Sequence, residues 1–148
     1  MNTIRRHLPN AARIFLGLVF TVFGLNFFLH FLPMPPAPPK AAAFAGALFG
    51  SGYFFPLLKS IEVVAGLLLL MNRFVPLMLA VLAPIVVNIL GFHLFLEPSG
   101  LPIPLAVLAA EIFLAWSHRA AFAPMLHART PLAPAEYPVE AQAIHHAA

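Results

Sequence analysis

The chain has 148 residues, of which 61% are hydrophobic and 9% charged, where a soluble domain has roughly 45–50% and about 25%. Lys and Arg number 8, Asp and Glu 5, giving a formal charge of +3, and no cysteine is present. These figures exclude a water-covered globule, a disulfide framework, a dithiol relay and thiolate-held iron–sulfur clusters, and the bases are too scattered for a nucleic-acid surface.

An apolar run over residues 11–32 follows Arg5 and Arg6. It is about as long as the 20 residues that cross a bilayer, longer than the roughly 7–15 of a secretory leader, and is expected to remain as an uncleaved first span. A Pro-rich stretch, 33–39, then opens a long loop in which Phe44, Leu48 and Phe49 allow a short helix over 40–50. Such a helix would close over the molecule, lie in the outer headgroups or serve as a plain connector.

A second span is expected over 54–71, with Pro56 in its first turn. Asn72 and Arg73 form a turn short enough only for an antiparallel return into a third span over 74–96, kinked by Pro84. Glu97 to Gly100 is a compact breaker, Pro102 and Pro104 suit a helix start, and a fourth span runs to Trp116 or Ser117. The expected fold is therefore an all-α membrane protein, an antiparallel bundle of four transmembrane helices in one domain over 1–129. The tail over 130–148, with Pro131, Pro134 and Pro138 among Ala, Glu and His, lacks apolar material to pack and is expected to be disordered.

Arg5, Arg6, Arg13, Arg73, Arg119 and Arg129 fall on one side of this topology, Lys40 alone opposite and Lys59 inside a span. The positive-inside rule then places both termini in the cytoplasm of a multi-pass protein of a bacterial inner membrane. Trp116 and Tyr53 fall near the two interfaces, where aromatic belts form.

Charged and amide side chains within hydrocarbon need partners or a cavity, because a central charge costs at least about 2.5–3.5 kcal/mol on the insertion scale. Asn26 and His30 lie one turn apart on the first span, Lys59 and Glu62 on the second, Asn88, His93 and Glu97 on the third, and Glu111 on the fourth. At about 1.5 Å rise per residue, Glu62 and Glu111 reach the midplane and the others lie further out, so four helices contribute polar groups to the outer half. The spacing implies a polar pocket of Asn26, His30, Lys59, Glu62, Asn88, His93 and Glu111 opening outward. The same groups would equally serve to lock helices together.

His30, His93 and Glu97 suit zinc or non-haem iron in type, and His30 with His93 could bracket a haem, but no pattern is specific and no metal site or catalytic residue is assigned. The tail pair His145 and His146 is a dipeptide in an unpacked tail and no site. Gly17, Thr21 and Gly24 form a small-residue stripe for close helix approach, within the chain or to another copy.

Several blocks together are similar to the DoxX-like family of small bacterial four-helix membrane proteins. They are Gly17-Leu18-Val19-Phe20 through Gly24-Leu25-Asn26, Gly52-Tyr53-Phe54-Phe55-Pro56, Ile61-Glu62, Gly66-Leu67-Leu68-Leu69-Leu70, Asn88-Ile89-Leu90-Gly91-Phe92-His93 and Leu96-Glu97-Pro98-Ser99-Gly100-Leu101-Pro102. Many members carry Lys after the first-helix Asn, where this chain has Phe27. The resemblance implies an accessory subunit of a membrane redox system, since some relatives belong to quinone-linked oxidoreductases, while distant relatives assist membrane-protein assembly. On this expectation the pocket takes a quinone-like amphiphile, Lys59 or His93 donating to its carbonyl and Glu62 and Glu111 handling a proton. The expected surroundings are the lipid bilayer, a redox enzyme partner or a second copy, and no nucleic acid. The alternatives are a solute carrier dimerised through the glycine stripe, or an assembly scaffold.

Overall fold

The structure, a computed structural model, describes residues 2–128, so the tail expected to be disordered lies outside the described residues. Helix α1 (Asn2–Leu29) is followed by α2 (Pro39–Gly50), α3 (Phe54–Leu70), α4 (Val75–Phe95), a 3₁₀ turn at Pro98–Gly100, α5 (Pro102–Ser117), the short α6 (Arg119–Phe122) and a second 3₁₀ turn. Among the described residues there are no strands.

Two stretches, His7–Leu29 and Val75–Phe95, are each long and apolar enough to cross a membrane. Helices α3 and α5 have 17 and 16 residues, about 25 Å at 1.5 Å per residue against a hydrocarbon core near 30 Å. They reach the criterion only with the helices that continue them at sharp bends, 93° between α2 and α3 and 77° beyond α5, giving up to four spans. The short helix allowed for the first loop is present as α2, lying across the end of α3.

Helix α1 packs on α3 and α5, and α4 packs on the same two, so each long helix touches two others around a core that includes Leu16, Leu69, Leu82 and Leu114. In lipid such contacts gain little from the hydrophobic effect, because the tails are as apolar as leucine, and close packing must supply the attraction. The α1–α3 seam does so with glycine. A Cβ on Gly66 would stand 2.7 Å from the backbone nitrogen of Thr21 and 2.9 Å from the carbonyl of Gly17, and one on Gly24 would stand 2.7 Å from Val63. The Gly17, Thr21, Gly24 stripe is thus filled by α3 of the same chain, the within-chain packing expected of it, and is not free to serve the alternative of a carrier dimer.

The chain reverses between α3 and α4 through a Schellman closure. Asn72 takes the left-handed conformation (φ 56°), its N–H donates to Leu69 and the N–H of Arg73 to Leu68 at 2.8 Å. Helix α1 adds a donor to the same end: Arg13 Nη1 donates to the Leu70 carbonyl at 2.9 Å and also to that of Leu69. Arg13, read from sequence as a topological charge, is therefore a cap on the negative end of α3.

Helix α1 stops at Leu29, three residues before the expected limit of the first span. His30 adopts φ 52° and its N–H returns to the carbonyl of Asn26 at 2.9 Å, a single-bond αL termination. The expected helical face shared by Asn26 and His30 is therefore broken at its outer end.

Candidate functional site

The clearest polar assembly in the interior begins with the spacing of Lys59 and Glu62 on α3. Three residues apart on a helix, they meet on one face, and Lys59 Nζ reaches both carboxylate oxygens at 3.0 and 2.8 Å. Glu62 is 2% exposed, whereas the Lys59 side chain retains 20%. The bidentate contact engages two of the three ammonium donors and leaves one available.

Glu111 occupies the middle of α5 and is 6% exposed. Its Oε1 is buried without a hydrogen-bond partner, as are Thr21 Oγ1 and Arg13 Nε among the described residues. Arg13 and Thr21 face packed seams already described. Glu111 instead presents an open hydrogen-bonding valence inside apolar surroundings, a state that native interiors rarely leave unanswered.

The other expected pocket residues are distributed elsewhere. Asn26 is buried, but its amide clasps the chain just after α1: Leu32 N–H donates to Oδ1 at 2.6 Å and Nδ2 donates to the Leu32 carbonyl at 3.3 Å. His30 is exposed beyond the helix end, and Asn88 is exposed on the outward side of α4. The sequence-based pocket of seven is therefore not one constellation within this chain.

His93 belongs to a rim at the end of α4. Its Nδ1 lies 2.9 Å from the Ile89 carbonyl, and because a carbonyl only accepts, that nitrogen carries the proton. Nε2 faces Glu97 Oε2 at 3.8 Å. A Cβ on Gly100 would fall 2.7 Å from Nε2, so the backbone of the 3₁₀ turn closes over the ring. Phe92 meets the His93 ring edge-on, and Phe44 of α2 lies 6.1 Å from Phe92, tying α2 to this rim. Among the described residues no three metal-ligating side chains of His, Cys, Asp or Glu come together.

Phe27 lies 5.9 Å from Phe55 of α3 and 6.4 Å from Phe49 of α2. An aromatic contact here joins three helices where a cation would need a counter-charge. On the other side of α3 an open groove of about 250 Å³ runs between α3 and α4, lined by Ser60, Ile61, Val64, Ala65, Met78 and Val81. Its walls are apolar and it contains none of the seven polar candidates.

Arg13 is the residue that sequence reasoning missed as a structural contact, and its signal, a lone Arg one turn inside a span, was legible only as charge. No protein-family profile, curated protein or solved structure matches the chain.

Proposed function

We propose that this chain is a DoxX-like integral protein of a bacterial inner membrane, an antiparallel four-span bundle with both termini cytoplasmic, acting as an accessory subunit of a membrane redox system. Glu111 on α5, the buried acid without a partner, takes the polar head of a quinone-like amphiphile, with the Lys59–Glu62 pair on α3 as its second contact. The observation that carries this reading is the buried, unpartnered Oε1 of Glu111 in the middle of α5. A hydroxyl of a reduced head group would donate to that oxygen, and the third donor of Lys59 would meet the opposite ring oxygen, which accepts as a hydroxyl or, in the oxidised form, as a carbonyl. Glu62 holds the ammonium in place for this contact.

The test is extraction and chromatographic quantification of quinone from protein purified in mild detergent. The expected result is near-stoichiometric quinone in the parent chain and at least a tenfold loss in Glu111→Leu with the helical fold retained. A parent chain that carries no quinone or other hydroxyl-bearing amphiphile refutes the proposal. An assembly-scaffold role is favoured by Arg13 and Asn26, whose contacts are all with backbone; under it Glu62→Gln lowers folded yield and no ligand is lost.

A further inference from the structure

Helix α4 carries a second unanswered polar group, and it faces away from the interior. Asn88 is exposed, and no side-chain hydrogen bond among the described residues involves it. It lies about one turn from the centre of a 21-residue span, a depth at which water is absent and an amide must find a partner in another chain or in a lipid.

The neighbours on that face are spaced in a way that selects between those. Leu77, Val81, Pro84, Asn88, Gly91 and Phe95 follow one another at alternating intervals of four and three, the seam of a left-handed helix pair. Five of the six are exposed, and at Gly91 a Cβ would meet nothing within 4 Å, so a second backbone can approach there. In this register Asn88 occupies the position at which a single polar residue fixes partner number and alignment. Its carboxamide both donates and accepts, so a symmetry mate satisfies it with an identical group, as an isologous contact requires. The apolar groove between α3 and α4 borders the seam through Val81 and offers a recess for apolar side chains of the mate.

We propose that the occupant of this face is a second copy of the same chain, in a parallel homodimer whose two-fold axis runs along α4 with Asn88 opposite Asn88. The proposal is independent of what binds at Glu111 and replaces the glycine stripe as the dimer surface.

The chain contains no cysteine, so single substitutions report unambiguously in native membranes of the full-length protein. Oxidation is expected to give disulfide-linked homodimers with Val81→Cys, Gly91→Cys and Phe95→Cys. Val87→Cys and Leu94→Cys, roughly a quarter of a turn round the helix, are expected to give none, although both positions are exposed. In a dilution series in bilayers followed by energy transfer, Asn88→Leu is expected to weaken dimerisation about 3- to 30-fold, the range of interhelical polar contacts in membranes. Asn88→Gln should recover much of that loss. A parent chain monomeric at all densities overturns the proposal. So do cross-links without the four-three periodicity, cross-links to a protein of another mass, or an Asn88→Leu variant that dimerises as well as the parent.

Discussion

Replacing Lys59 by Met removes the sole hydrogen-bonding partner, among the described residues, of a carboxylate that is 2% exposed. Breaking a buried pair in this way costs about 3–5 kcal/mol, because the remaining charge is left in a low-dielectric interior. The converse change, Glu62→Met, should cost less, about 1–3 kcal/mol, since Lys59 is one-fifth exposed and its flexible stem lets the ammonium turn outward. Changing both to Met swaps the pair for apolar side chains of similar length, which is expected to leave stability within about 1 kcal/mol of the parent. The single losses should therefore exceed the double loss by about 3 kcal/mol or more, a coupling measurable by reversible unfolding in mixed micelles followed by circular dichroism. Additive losses would refute the reasoning, because each side chain would then serve a different partner. The double variant also separates stability from function: it should fold normally and carry no amphiphile.

Gly66→Ala brings a methyl against two backbone atoms of α1 and should destabilise by about 1–3 kcal/mol, whereas Gly46→Ala, in open space on α2, should stabilise by about 0.5–1 kcal/mol; thermal unfolding of the two variants gives the opposite signs. His30→Gly relieves a left-handed residue and should stabilise by up to about 1 kcal/mol, with amphiphile content unchanged, while Asn26→Leu leaves both backbone groups of Leu32 without their clasp and should cost about 1–3 kcal/mol. Loss of the amphiphile in His30→Gly would show that His30 is a ligand after all. Arg13→Met removes the donors at the end of α3 and should cost about 1–3 kcal/mol, with topology, read by protease protection, unchanged because the other arginines remain.

What was legible in the sequence followed from properties that do not depend on a neighbour. Composition required a lipid environment, Asn72 and Arg73 marked a reversal, and the interval between Lys59 and Glu62 implied their contact. What was not legible depended on phase or on partners. Helix α4 is apolar nearly all round, so periodicity could not decide whether Asn88 faced inward or outward. The end of α1 bears neither Gly nor Pro, and only the left-handed backbone at His30 shows that Asn26 and His30 part company. Positive-inside reasoning weighs Arg13 as a charge on one side of the membrane, and its hydrogen bonds to α3 become visible only when the two helices are docked.

Because the hydrocarbon of lipid neither satisfies a polar group nor drives helices together, each polar residue within it must be answered by protein or by something bound. Lys59 and Glu62 answer each other, Asn26 and Arg13 answer backbone, and His93 answers Ile89. Of the acids and amides among the expected pocket residues, Glu111 and Asn88 remain, one buried and one outward, on adjacent helices α5 and α4. Their separation predicts independent phenotypes: Glu111→Leu should abolish amphiphile binding and leave the α4 cross-links, and Asn88→Leu should weaken the dimer with amphiphile per chain unchanged. If either substitution removes both properties, the two unmet valences belong to one site completed across the dimer, and the separate roles argued here are wrong.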